Sequence, residues 1–278
     1  MTSKSVLGLF IVMAIVTTAA YIYISEKDMP KQQKNIKTST SEPKPKSKLN
    51  LIKQAEAKSI NVFHADIFDY TNVKNTAEKK QIFFDTLRPI IISQNQQIKD
   101  QRQQILFAKE SNTIQPWLET IAEKYNVDWN NEQPDWDQLL QHIDTIPQEL
   151  VMAQAANESA WGKSTFAQKG NNLFGQWCFK KGCGIVPGQR NSGANHEVRK
   201  FASINDSVAS YMHNLNTGHA YKDLRKLRAS LRTANKTIDG HTLAKGLEKY
   251  SSRGAEYVKE IQSMIRTNKT IMLSNKKV

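Results

Sequence analysis

The chain has 278 residues, 39% hydrophobic and 23% charged, and a net charge of +13. That balance fits a chain that mostly folds as an ordinary globular protein and excludes one that is disordered throughout. The basic excess fits an anionic partner (nucleic acid, membrane headgroups or an acidic wall polymer) as readily as a plain solvated surface. No nucleic-acid motif accompanies it, so no nucleic-acid partner is expected.

Lys4 precedes the uncharged run "VLGLFIVMAIVTTAAYIYI" at residues 6–24, close to the ~20 apolar residues that span a bilayer core. Two readings compete: an uncleaved membrane anchor, or a signal peptide cut near "TTAA". The apolar run continues past "TTAA", which favours the anchor. Either way Lys4 stays inside and the body is exported, so a periplasmic protein tethered through residues 6–24 is expected. Residues 25–50 hold three prolines and many lysines and read as a flexible basic spacer.

Residues 51–112 read as an N-terminal helical extension. Ile82, Phe83, Leu87, Ile90, Ile91, Ile98, Ile105 and Leu106 recur at helical spacing, as one long helix or two stacked ones. Thr76 opens the pattern and Pro89 is a potential kink. Asn95, on or beside the apolar stripe, is read as core packing. The remaining domain, residues 113–278, begins with a helical stretch at Thr113–Val127. A short helix capped by Asp135 follows, and His142 within it is read as filler rather than a ligand.

Thr145-Ile146-Pro147-Gln148 has the form of a capping box. The next helix is expected to run on to Gly162, with Leu150, Gln154 and Glu158 on one face. Ala153, Ala155 and Ala156 permit close packing, so this helix is expected to be buried. Beyond it, Cys178 and Cys183 read as a disulfide in an exported protein. A zinc site is the weaker reading, because two thiolates need further ligands and His196 is the nearby candidate. Residues 178–201 read as a β-hairpin with a Gly/Asn-rich loop. Helices resume at "INDSVASYMHNLNT", capped by Asn205 or Asp206, and continue to the end as a mainly α fold.

Glu158 is the residue with chemical promise. A carboxyl group placed among Ala155, Ala156 and Trp161 can be held protonated as an acid, or can be a buried structural Glu. The residues alone leave both open. The ordered set Gln154, Ala155, Ala156, Glu158, Ser159, Trp161, Gly162, Ser164, then Asn172, Leu173, Phe174, Gly175, resembles the signature of the bacterial glucosaminidases, glycoside hydrolase family seventy-three. The run Tyr250 to Ile261 resembles that family's closing motif. The helical extension and "WCFKKGCG" resemble its Bax subgroup.

The resemblance covers roughly residues 60 to 265 and implies a lysozyme-like, two-lobed α domain with a small β-hairpin insert. It implies hydrolysis of peptidoglycan glycan strands after N-acetylglucosamine, with Glu158 as general acid. Ser159 is expected to orient the carboxyl group, or to serve helix packing. Glu197 and Tyr250 are the candidates for the second catalytic group, with the substrate's own acetamide as the alternative. Glu197 departs from the family pattern by falling on the second strand of the lobe. Asn172, Phe174 and Trp177 are expected to contact sugar, with hydrophobic core as the alternative for Phe174 and Trp177. No cofactor or metal is implied. Two other readings are a lytic transglycosylase, disfavoured by Asn-Leu-Phe-Gly after the Glu-Ser pair, and a non-catalytic wall-binding module.

Overall fold

The computed structural model describes Phe68, residues 70–188, Arg190 and residues 193–274. The apolar run at 6–24, the spacer and the first part of the helical extension lie outside the described residues. The chain is mainly α. It runs α1 (Thr76–Glu110), α2 (Pro116–Lys124), α3 (Trp136–His142), α4 (Gln148–Glu158) and α5 (Thr165–Gly170). Three short strands follow: β1 (Trp177–Cys178), β2 (Gly184–Ile185) and β3 (Glu197–Arg199). Then come α6 (Ile204–Thr217), a 3-10 turn (His219–Tyr221), α7 (Lys222–Thr233), α8 (Gly240–Leu243), a second 3-10 turn (Ala244–Leu247) and α9 (Ala255–Leu273). No helix among the described residues is long and apolar enough to cross a membrane.

Helix α1 is one helix, not two, and it passes through Pro89 without a break. Its 35 residues span about 50 Å at the usual rise. Asn75 caps it, accepting the Glu78 amide at 2.7 Å, as side-chain oxygens do at free helix amides. Pro89 is exposed, so the carbonyl its ring leaves unpaired lies on the solvent side. The inner face buries Phe83, Phe84, Leu87, Ile91, Ile98 and Ile105 in the same hydrophobic cluster as Leu150, Val151 and Met152 of α4 and Ile261 and Ile265 of α9. Arg88 donates to the Ile271 and Met272 carbonyls near the end of α9.

Helix α4 is the central element: every residue from Leu150 to Ala156 is buried. Alanine suits such a position, because it costs little helical entropy and lets neighbours approach closely. Full burial of Leu150, Val151 and Met152 stabilises the fold by roughly 1.5–3 kcal/mol each. The capping box does not form. Pro147 is the N-cap residue and no side chain caps the helix. The approach to α4 is held from other elements. Asn95 of α1 donates to the Ile146 carbonyl at 2.8 Å and accepts the Ile146 amide at 2.9 Å, so a residue read as core packing is a two-pronged backbone clip.

Asp144 governs the same segment. It is 2% exposed and its two oxygens are gripped by the Arg232 fork. Arg102 of α1 and Arg228 of α7 stand 3.8 and 3.7 Å from Oδ2. Arg228, fully buried, also donates to the carbonyls of Gln141, Asp144 and Thr145 and to Asn216 Oδ1. Burial pushes the Asp144 carboxyl upward, but the Arg232 hydrogen bonds and the charges of Arg228, Arg102 and Arg232 hold it below its ordinary value.

The expected hairpin is present as β2 and β3, and β1 adds a third strand. The sheet order is β1-β3-β2, all antiparallel to β3, with Trp177 opposite Val198 and Ile185 opposite Val198 on the other side. Cys178 and Cys183 form the disulfide. Helix α6 is capped by Ser203, which accepts the Asp206 amide, not by Asn205 or Asp206 themselves. Asp135 caps α3 as expected, and His142 is buried, with Nδ1 2.8 Å from the Tyr125 carbonyl oxygen.

Replacing Asp144 with Ala leaves buried guanidinium groups without a counter-charge, and we expect unfolding stability to fall by about 3–5 kcal/mol. In the wild type the contribution of Asp144 is complete above the ordinary carboxyl range and is lost as pH falls below about 4. Denaturant titrations of both proteins from neutral to acid pH check this: the gap between them must close on acidification.

Candidate active site

Glu158 is the last residue of α4 and is half-buried. The helix ends there, four residues before Gly162, because the next stretch turns left-handed. Ala160, Trp161 and Gly162 have φ of 50°, 61° and 79°. Positive φ costs a residue with a Cβ on the order of 1–3 kcal/mol, so the turn needs support. Ser159 supplies it from within: its Oγ donates to the Ala155 carbonyl at 2.6 Å and accepts the Gly162 amide at 2.7 Å. Being fully buried and spent on these bonds, Ser159 shapes the turn and does not orient the carboxyl group of Glu158.

Support also comes from outside. Trp161 meets Phe83 and Phe84 of α1 edge-on at 5.5 and 5.4 Å, and its carbonyl accepts the Tyr70 O–H at 2.8 Å. The indole is therefore committed to α1 rather than forming an apolar wall for Glu158. A Cβ on Gly162 would lie 2.5 Å from the ring of Phe68. Glycine is required there both for the backbone angle and for that contact.

A directed line of hydrogen bonds reaches the Glu158 carboxyl group. Tyr257 of α9 donates to Oε1 at 2.7 Å. The Tyr257 oxygen accepts from Gln154 Nε2 at 2.9 Å, and Gln154 Oε1 accepts the Tyr211 O–H. Gln154 lies one turn before Glu158 and is fully buried. Its amide group presents NH2 to Tyr257, so the single Tyr257 proton is left for Glu158. Asn157 Nδ2 lies 3.4 Å from the same Oε1. Oε2 has no hydrogen-bond partner among the described residues.

Aromatic rings brace this line on both sides. Tyr250 stacks on Tyr257 at 5.1 Å and Phe174 stacks on Tyr211 at 3.9 Å. The Tyr250 O–H donates to the Phe174 carbonyl at 3.0 Å, joining the two stacks. Burial pushes the hydroxyls of Tyr211, Tyr250 and Tyr257 well above their ordinary value, and the Glu158 charge adds to the effect. They stay protonated, and so remain donors, over any working pH.

Several residues expected at the site have other work. Phe174 is 3% exposed and its ring is covered by Tyr211, so it offers no face to a sugar. Asn172 is 1% exposed and organises its own loop: Nδ2 donates to the carbonyls of Gln176 and Arg199, and Oδ1 accepts the amides of Phe174 and Gln176. Tyr250 braces the Phe174 backbone and stacks on Tyr257 rather than bonding to Glu158. Glu197 is buried in β3, and its two oxygens accept the Gly182 and Gly184 amides at 2.9 and 2.8 Å. Those bonds hold its carboxyl below the ordinary range, so in this structure it serves as a fastener of the disulfide loop.

Trp177 does present a face. It is 58% exposed on β1 and is backed by His196, which stacks on it at 4.0 Å. A metal reading of Cys178, Cys183 and Glu197 has the spacing, since their ligand atoms lie within 4.8 Å of one another. The disulfide takes both sulfurs, however, and Glu197 is engaged with the two amides. The residues that spacing alone did not single out are Tyr257 and Tyr211. Gln154 was their signal, a buried amide one turn below Glu158 that must find partners.

Residues 133–270 match the family model described as glucosaminidase, mannosyl-glycoprotein endo-beta-N-acetylglucosaminidase. Protein bax of Escherichia coli (strain K12) is 34% identical over 203 residues, 71% of this chain and 72% of that protein. No solved structure is a significant match.

Gln154→Leu keeps the shape of α4 but takes the acceptor from the buried Tyr211 hydroxyl and the amide donor from Tyr257, which keeps its bond to Glu158. We expect a loss of about 2–4 kcal/mol in unfolding free energy, read as a lower urea midpoint at unchanged slope. A midpoint equal to that of the wild type would remove the hydrogen-bond line from the account of this site.

Proposed function

The chain belongs to the glucosaminidase family, in its Bax-type branch, and from that membership we propose a specific activity. The protein is a peptidoglycan hydrolase, an endo-β-N-acetylglucosaminidase that cleaves the glycan strand after N-acetylglucosamine with Glu158 as general acid. The observation that carries this reading is the unequal treatment of the two carboxyl oxygens. Oε1 is held by Tyr257 at 2.7 Å, while Oε2 is left for the proton and the substrate. An alkoxide is a poor leaving group, and protonating the glycosidic oxygen from Oε2 as the C1–O bond breaks lowers that barrier.

The second group is the substrate's acetamide in this reading. Glu197 is spent on two backbone amides and Tyr250 on the Phe174 carbonyl. The acetamide carbonyl oxygen then attacks C1 as the leaving sugar takes the Glu158 proton, forming an oxazolinium ion. Water adds at C1 and gives its proton back to the Glu158 carboxylate, restoring both acid and acetamide with retention at C1. Tyr257 is a positioning residue throughout, and the exposed face of Trp177 suits a sugar ring.

The compartment follows the same reading. The disulfide fits an oxidising compartment, and residues 6–24 would tether the body to the membrane from the periplasmic side.

Glu158→Gln is expected to lower the rate of wall digestion by about 10²–10⁴-fold with an unchanged circular dichroism spectrum. Mass analysis of fragments from purified walls should show N-acetylglucosamine at the new reducing ends. Full activity in the variant refutes the acid assignment. An anhydro-sugar end would make the enzyme a transglycosylase instead.

A further inference from the structure

A second concave site lies at the C-terminal end of α6. It is a cavity of about 440 Å³ where the end of α2, α3, the end of α6 and the start of α7 meet. Arg225, Lys222 and His219 line it, together with the side-chain amides of Asn126, Gln138 and Gln141, and no carboxylate among the described residues does. It shares no residue with the hydrogen-bond line to Glu158.

Arg225 is the unusual member. It is 4% exposed, and both of its hydrogen bonds leave from Nη1, to the carbonyls of Leu215 at 3.2 Å and Gly218 at 2.8 Å. Its Nε is the one buried side-chain nitrogen or oxygen without a partner among the described residues. Asp144, the carboxylate that Arg228 of the same helix pairs with, is already shared by Arg232, Arg228 and Arg102. Asp223, in the first turn of α7, pairs with Lys249. A buried cation with no counter-charge is costly, and Nη2, which makes no hydrogen bond among the described residues, is left to donate to an anionic group.

The surroundings favour the same kind of ligand. The cavity lies where the 3-10 turn runs into α7, and Lys222, the first residue of that helix, adds a second cation to its wall. The volume exceeds what a bare ion fills, and the three amides can serve the polar remainder of a small molecule.

We propose that this cavity binds a small molecule through a carboxylate or phosphate group, which Arg225 and Lys222 hold at the start of α7. Binding there is independent of hydrolysis at Glu158, so the test uses no activity measurement. Thermal unfolding of the full chain is followed with inorganic phosphate, acetate or chloride at matched ionic strength. Phosphate, acetate or both should raise Tm in a saturable way that chloride does not, by mass action on the folded state. Because Arg225→Ala also removes two carbonyl contacts, the deciding variant is Lys222→Ala combined with His219→Ala. It should weaken the apparent affinity about tenfold while its Tm in chloride stays near that of the wild type. Preference between the two anions identifies the group. Equal responses to all three anions, or a double variant that responds as the wild type does, overturn the proposal.

Discussion

The molecule turns on one carboxylate. Asp144 sits in the five-residue approach to α4 and draws Arg102 from α1 and Arg228 and Arg232 from α7 to a single point. Three cations around one buried anion would not stay together without the backbone carbonyls that take their remaining protons. Gln141, Asp144, Thr145, Leu140 and Ile143 supply those carbonyls. The outcome is an approach segment fixed by charge rather than by helix propensity. Helix α4 needs no cap of its own, and the position of Glu158 at its far end is set by where α4 begins.

The far end is held by different physics. Three left-handed residues stop the helix, aromatic packing keeps them there, and a line of hydrogen bonds reaches one oxygen of Glu158 while the other stays open. The β-lobe is fastened separately, through the disulfide and the two amide bonds of Glu197. Its exposed tryptophan is thus presented from a small unit that owes little to the helical core. Rigid placement of the Glu158 carboxyl group and local fastening of the lobe are different requirements, and the chain meets them with different residues.

Much of this was legible in the sequence. Periodicity marked the long helix and its buried face, the hairpin and the disulfide were readable from composition and spacing, and the ordered set around Glu158 identified the family. What failed did so for definite reasons. Thr145 resembles an N-cap, but its segment is claimed by Asp144 and Asn95 from elsewhere in the chain, which no local pattern records. Gly162 looked like a helix end, but the backbone had already turned at Ala160, since packing against α1 can stabilise two non-glycine residues at positive φ. Phe174, Asn172 and Ser159 share the signature with Glu158 because they build the loop around it. A signature records what a site needs to exist as well as what touches substrate. Tyr257 lies in the closing motif, but its tie to Glu158 runs over 99 residues, a separation that spacing cannot bridge.

The ring of Phe68 against Gly162 bears on how such a protein can be cut and recombined. The family likeness spans residues 133–270, which looks like a transferable module. An excised module of that span would lack the phenylalanines that cover Trp161, the asparagine that clips Ile146 and one of the three guanidinium groups on Asp144. The recognisable piece and the self-supporting piece are different lengths of chain. Inheritance of this site therefore requires that α1 and the residues just before it travel with the signature, or that some other element supply an aromatic lid in their place.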